Sequence, residues 1–157
     1  MNIAAAIARP AGMLDRGLKA LQPLVALATR CFVSWQFLKS GMLKLEDWET
    51  TLFLFQEEYR TPLLSPQLAA IAGTFGEIFF PLLLIVGLFG HLAAVGLLAV
   101  NIMAVVAYAH VLLAPGFEAA ISQHYLWGFM LVMLAVYGPG RFSLDAWFGS
   151  LWLGRQS

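Results

Sequence analysis

Apolar residues gather in four long runs, separated by polar or turn-forming stretches. The first runs from about Pro23 to Leu45 and the second from about Pro66 to Phe89. The third spans His91 to Leu113, and the fourth about Ala119 to Tyr137, with a polar start at Ser122, Gln123 and His124. Each approaches the roughly 20 residues that carry a helix across a bilayer. Gly87 and Gly90 bracket a very short turn, so the second and third runs should pack as an antiparallel hairpin. The expected fold is all-α: a bundle of four transmembrane helices over residues 23–137, flanked by segments 1–22 and 138–157.

Three weaker patterns predict helices lying in the membrane interface. Ile3 to Leu21 reads as a basic amphipathic helix or as a disordered leader. It does not read as a signal peptide, because Arg9, Arg16 and Lys19 follow the short apolar stretch instead of preceding it. In the connection Glu46 to Ser65, Trp48, Thr51, Leu52 and Phe55 share one helical face, with Glu49, Gln56 and Glu57 largely off it. Thr61-Pro62 and Ser65-Pro66 then break that helix. After the stop at Gly138-Pro139-Gly140-Arg141, the tail places Leu144, Trp147, Phe148, Leu151 and Trp152 at helical spacing. Ser143 and Asp145 suit the positive end of that helix.

Composition fixes the solvent. Of 157 residues, 61% are hydrophobic and 11% charged. Soluble domains hold roughly 45–50% and about 25%. Lipid must therefore cover much of the surface. The net charge of +0 and the lack of a basic run argue against nucleic acid. Arg9, Arg16, Lys19, Arg141 and Arg155 flank one side, against Lys44 and Arg60 on the other, which puts both termini in the cytoplasm. Cys31 is a single cysteine and cannot form an internal disulfide.

Glu77 is the residue that most needs explaining. A carboxylate inside a span costs roughly 2.5–3.5 kcal/mol on insertion scales, and so demands a partner, a proton or a wet cavity. On the first run, Arg30, Ser34, Phe37, Gly41 and Lys44 form one polar and small stripe that should face the bundle. Counted from the cytoplasmic helix ends, Arg30 lies about 11 Å deep and Glu77 about 18 Å. An Arg30–Glu77 pair is the expected polar centre, in a functional role or as a structural ion pair that fixes register. Lys39 and Lys44 are expected to snorkel to headgroups. Gly73, Gly76 and Pro81 surround Glu77 with small or kinking residues.

Asn101 is expected either to join a network with Glu77 or to act as helix–helix glue. His110 and His124 flank the third connection, where they are weak candidates for a metal or for hydrogen bonds to a quinone carbonyl. His91 falls at the short turn. No Cys-x-x-Cys, His-Glu-x-x-His or phosphate loop is present, and the methionines read as core packing.

Three segments together resemble the DoxX family of small bacterial four-helix membrane proteins. They are Phe37 to Leu45 with Arg30 before it, Ala72 to Glu77 followed by Leu83 to Leu88, and Gly138 to Asp145. The likeness covers roughly residues 24–147, and the family pattern falls on Arg30, Gly41, Lys44, Glu77, Gly87, Gly140, Ser143 and Asp145. It implies a multi-pass protein of the bacterial inner membrane that supports a redox system, quinone- or sulfur-linked or of oxidative-stress type. Membrane or soluble redox proteins, or further copies of the chain, would be its partners. Two other roles stay open: a quinone-reactive oxidoreductase subunit with Glu77 in proton transfer and Arg30 and Asn101 orienting the head, or a helper in small-solute or metal transport.

Overall fold

The computed structural model describes residues 3–153, with side chains for residues 12–150. Its helices are α1 (Ile3–Glu46), α2 (Trp48–Glu57), α3 (Pro66–Val86), α4 (Gly90–Ala107), α5 (Ala109–Leu112), α6 (Glu118–Tyr137) and α7 (Leu144–Leu153). Three of these, α3, α4 and α6, are long and apolar enough to cross a membrane. On α3 the large side chains Leu68, Ile71, Phe75, Phe79, Leu82 and Val86 recur every three or four residues, and all are exposed. Residues at that spacing share one helix face. A continuous apolar stripe facing outward marks contact with lipid. α6 repeats the arrangement with Tyr125, Phe129, Val132, Met133 and Val136.

The first run departs from expectation at its start. Pro23 does not open a helix, because α1 is one helix of 44 residues that passes through it. A proline inside a helix removes one hydrogen bond. The alanine- and leucine-rich sequence on both sides has high helix propensity and carries the helix through. The boundary expected between residues 22 and 23 is thus continuous helix. The side chains of residues 1–11, including the basic Arg9, lie outside the described residues, as do those of Leu151, Trp152 and Arg155.

The hairpin turn is as short as expected. Gly87 closes α3 in the left-handed region at φ 71°, its N–H reaching back to the carbonyls of Leu83 and Leu84. Phe89 also takes a left-handed φ of 50°. The tail holds this turn in place. Ser143 caps α7 by accepting from the Ala146 N–H at 3.2 Å while donating to the Gly140 carbonyl at 2.6 Å. Asp145 does more than start its own helix. Its carboxylate accepts from the Phe89 and Gly90 N–H groups at 2.8 and 2.7 Å, and so caps α4. Its own N–H donates to the Gly87 carbonyl. An anion at a helix N-terminus is favoured by the unpaired N–H groups and the dipole. Asp145→Ala is expected to cost about 1 kcal/mol, read as a lower unfolding midpoint in detergent with the helical signal unchanged.

The third run breaks where a continuous span was expected. α4 ends at Ala107, Tyr108 takes φ −113° and ψ 16°, and α5 follows as one turn. The Ala107 carbonyl is taken by the Arg60 N–H at 2.9 Å, so the first connection is stitched onto the end of α4. α2 presents the predicted face, but that face meets protein. Thr51 and Phe55 are buried, and Trp48, Leu52 and Tyr59 pack with them against Ala69 and Ala70 of α3. Glu49, Gln56 and Glu57 are exposed. α2 therefore forms a lid over one end of the bundle, opposite the end that carries the hairpin turn.

Candidate functional site

Helix register decides which polar side chains meet. α1 and α3 run antiparallel, and Gly41 sits against Glu77. A Cβ on Gly41 would stand 3.1 Å from the Glu77 Cβ and 2.7 Å from Ile78 Cγ1. Arg30 Nη1 lies against Gly87. Eleven residues of α1 (41 − 30) thus run beside ten of α3 (87 − 77), which separates Arg30 and Glu77 by roughly 15 Å. The expected Arg30–Glu77 pair does not form. The earlier depth count aligned the helix ends, whereas the contact at Gly41 sets the true alignment.

Glu77 instead pairs with Lys44. Lys44 Nζ donates to Glu77 Oε2 at 2.5 Å and to Ser40 Oγ at 2.9 Å. Both partners are largely shielded, with side-chain exposures of 18% for Lys44 and 9% for Glu77. Lys44 does not snorkel outward. It lies in the last turn of α1, where a cation is favoured by the dipole. The Lys44 carbonyl accepts from Thr51 Oγ1 at 2.9 Å, which ties the lid to the ion pair. Pro81, four residues beyond Glu77, has no N–H to offer the Glu77 carbonyl. Lys39 is exposed.

Arg30 belongs to a second polar centre at the hairpin end. It is fully buried, and its Nη2 donates to the Phe142 carbonyl at 2.5 Å. Nη1 rests beside Gly87, at the carbonyl end of α3, where a positive charge is stabilised by the dipole. Nε, Nη1 and the nearby Ser34 hydroxyl have no partner among the described residues. Gly140, at φ 81°, brings the tail loop close to Ala26 of α1. Gly87, Gly140, Ser143, Asp145 and Arg30 together dock the tail on the bundle.

A cavity of about 450 Å³ opens beside the ion pair. Lys44, Glu77 and Ser40 line one wall, Tyr59 and Phe55 of the lid segment another, and Tyr108 and His124 the far side. Phe80, Gly96 and Val100 supply apolar surface. That volume lies in the range of small-molecule sites, which join apolar walls to a few convergent polar groups. Tyr59 and Tyr108 meet edge to face at 5.2 Å, and the Tyr108 hydroxyl donates to Glu58 at 3.3 Å. Burial first, then the neighbouring Tyr108, Glu77 and Glu58, push the Tyr59 phenol above its ordinary range, so it stays a hydrogen-bond donor at neutral pH.

Asn101 does not join Glu77. Its Nδ2 donates to the His124 carbonyl at 3.0 Å, and its Oδ1 meets His124 Nδ1 at 2.9 Å, which joins α4 to α6. The glue reading holds, with the addition that it fixes a histidine at the cavity. His110 is exposed and stands edge to face on Tyr108 at 5.6 Å. The two histidines thus have separate partners. No group of three His, Cys, Asp or Glu suited to a metal occurs among the described residues. His91, at the turn, contacts the Ala135 carbonyl at 2.8 Å. Tyr59 and Ser40 were not legible as members of the site. The available signal was the length of the connection, since a twenty-residue link is far longer than a turn needs and such links tend to be lids.

Outward apolar stripes, membrane-length helices and a shielded ion pair beside a cavity define a multi-pass membrane protein with a largely apolar chamber that holds a few polar groups. The family described as DoxX matches residues 25–111, and the chain belongs to it. The match takes in Arg30, Gly41, Lys44, Glu77, Gly87 and most of the cavity lining, while His124 of the cavity and Gly140, Ser143 and Asp145 of the tail lie beyond it. No curated protein and no solved structure matches the chain.

Proposed function

We propose that this chain is a membrane subunit that serves a redox system and binds a quinone head in the chamber beside Lys44 and Glu77. In this reading α1 is the fourth span from about Pro23 to Leu45. Its hydropathy is lowered by Arg30, Ser34 and Lys44, of which Arg30 and Ser34 are buried and Lys44 half-buried. Its outward side chains Leu24, Val25, Phe32, Trp35 and Met42 are apolar and exposed. Both termini face the cytoplasm of a bacterial inner membrane, on the Lys and Arg asymmetry. α7 lies in the interface on Trp147 and Phe148, and the lid end faces outward.

The observation that carries the reading is the chamber itself, with a charged pair, a phenol and an imidazole around one small apolar volume. Quinone reduction takes two electrons and two protons. A partner protein would supply the electrons. Lys44 stabilises negative charge that develops on a quinone oxygen, and Glu77 relays a proton taken up from water to that oxygen, while the second proton reaches the other oxygen from water. The quinone brings the redox chemistry, and this chain binds and orients it.

The test is Glu77→Gln in membranes that contain the protein and its co-purifying partner. Assembly should persist, and quinone reduction should fall about 100-fold. Unchanged turnover in a variant that still assembles would sink the proposal.

A further inference from the structure

The hydrogen bonds between α4 and α6 determine which way the His124 ring is protonated. A backbone carbonyl can only accept, so the Asn101 group that meets the His124 carbonyl at 3.0 Å must be the amide nitrogen. That orientation is fixed, and it leaves Asn101 Oδ1, an acceptor, against His124 Nδ1 at 2.9 Å. Nδ1 must then carry the hydrogen. In the neutral ring the other nitrogen, Nε2, is left with its lone pair and without a proton. Nε2 makes no hydrogen bond to any described residue, and His124 lines the chamber.

The other acceptors and donors of the chamber add to this. Lys44 spends two of its three donors on Glu77 and Ser40, and the Tyr108 hydroxyl donates to Glu58, so the donors left in the chamber include the third Lys44 N–H and the Tyr59 hydroxyl. Glu77 Oε2 is taken by Lys44, which leaves Oε1 as a free acceptor. The chamber thus holds two open acceptors, Glu77 Oε1 and His124 Nε2.

We infer that His124 is a specificity-determining residue: Asn101 holds it with Nε2 as an acceptor, and the His124 side of the chamber selects a ligand that presents a hydroxyl there over one that only accepts. For the reading proposed above, on which this rests, the reduced, dihydroxy form of the quinone binds more tightly than the oxidised form. Asn101 is the positioning residue. A site built to accept a hydroxyl rejects the analogue that lacks it, because the acceptors are then buried without a partner.

The experiment titrates purified protein in mild detergent with para-octylphenol and its methyl ether, and with a short-chain benzoquinol and its quinone. Trp127, edge to face on His124 at 5.0 Å, serves as the fluorescent reporter. The phenol should bind about tenfold more tightly than the ether, one hydrogen bond's worth. His124→Phe should cut that preference at least about threefold, the remainder resting on Glu77 Oε1, while ether binding changes less than phenol binding. Equal binding of phenol and ether by the wild type, or a preference unchanged in His124→Phe, overturns the inference. If His124→Phe does not fold, nitrogen NMR of the wild type decides: a neutral ring protonated at Nε2 refutes the assignment, and one protonated at Nδ1 upholds it. A phenol preference without binding of either quinone form removes the redox reading, and the quinol preference that rests on it, and leaves the selectivity of His124 for a hydroxyl donor standing. Failure of all four probes removes both.

Discussion

Lys44→Met should destabilise the protein by about 3 kcal/mol, the cost of leaving a shielded carboxylate without its cation. Glu77→Leu should cost a similar amount by stranding the Lys44 ammonium. The double variant Lys44→Met with Glu77→Leu should lose far less than the sum, because an apolar pair of similar volume replaces a buried ion pair at little cost. Unfolding of the purified protein by a denaturing detergent, followed by helical signal, measures the cycle. Arg30 provides the control. It lies roughly 15 Å from Glu77 along the bundle, and its carbonyl partner is Phe142. Arg30→Met and Glu77→Leu should therefore add within about 0.5 kcal/mol. Additivity of the Lys44 and Glu77 changes, or strong coupling of Arg30 to Glu77, would refute the pairing.

Gly87→Val should be more damaging, at roughly 4 kcal/mol. Two costs combine there. At φ 71° a side chain sits in the left-handed region, a strain of about 1–2 kcal/mol and more for a β-branched residue. The new Cβ would also overlap Arg30 Nη1 and Ser143, and stand 2.8 Å from the Ser143 Cα. Overpacking of that kind adds about 1–3 kcal/mol. The consequence extends past the turn, since Arg30, the α3 end and the tail loop all meet at this point. Release of the tail should make it a target of limited proteolysis. Gly149→Ala is the matched contrast. Gly149 lies within α7 and a Cβ there meets nothing within 4 Å, so alanine should leave stability unchanged or raise it by a few tenths of a kcal/mol. Equal tolerance at both positions would show that the hairpin end is not the packed junction described.

The sequence pattern disclosed what depends on one helix at a time. The α3–α4 hairpin, the face of α2 and the helix after Gly138-Pro139-Gly140 all follow from local period and punctuation. The inward stripe of α1 was legible in the same way: Arg30, Ser34, Phe37 and Gly41 are all buried, and Lys44 turns inward to Glu77. What a single helix does not encode is its vertical alignment with its neighbour. Gly41 against Glu77 slides α1 by more than a turn from the end-to-end estimate, and that slide exchanges Arg30 for Lys44 as the partner of the acid. The lid was half legible. Its apolar face was visible, but the same face suits lipid or protein, and only the tie of Thr51 to the Lys44 carbonyl and of Arg60 to Ala107 turns it over the bundle. Asn101 and His124 stand 23 residues apart on different helices, and no spacing rule joins them.

The chamber, the lid and the quinone reading all depend on which cation answers Glu77. The direct measurement is a magic-angle-spinning NMR dipolar experiment on the protein in lipid bilayers, with nitrogen-labelled lysine and arginine and carbon-labelled glutamate. The Glu77 carboxyl carbon, assigned by its loss in Glu77→Gln, should couple to the Lys44 ammonium at a distance of about 4 Å or less. Coupling of that carbon to an arginine guanidinium, or to no side-chain nitrogen at all, would contradict the structure at its centre.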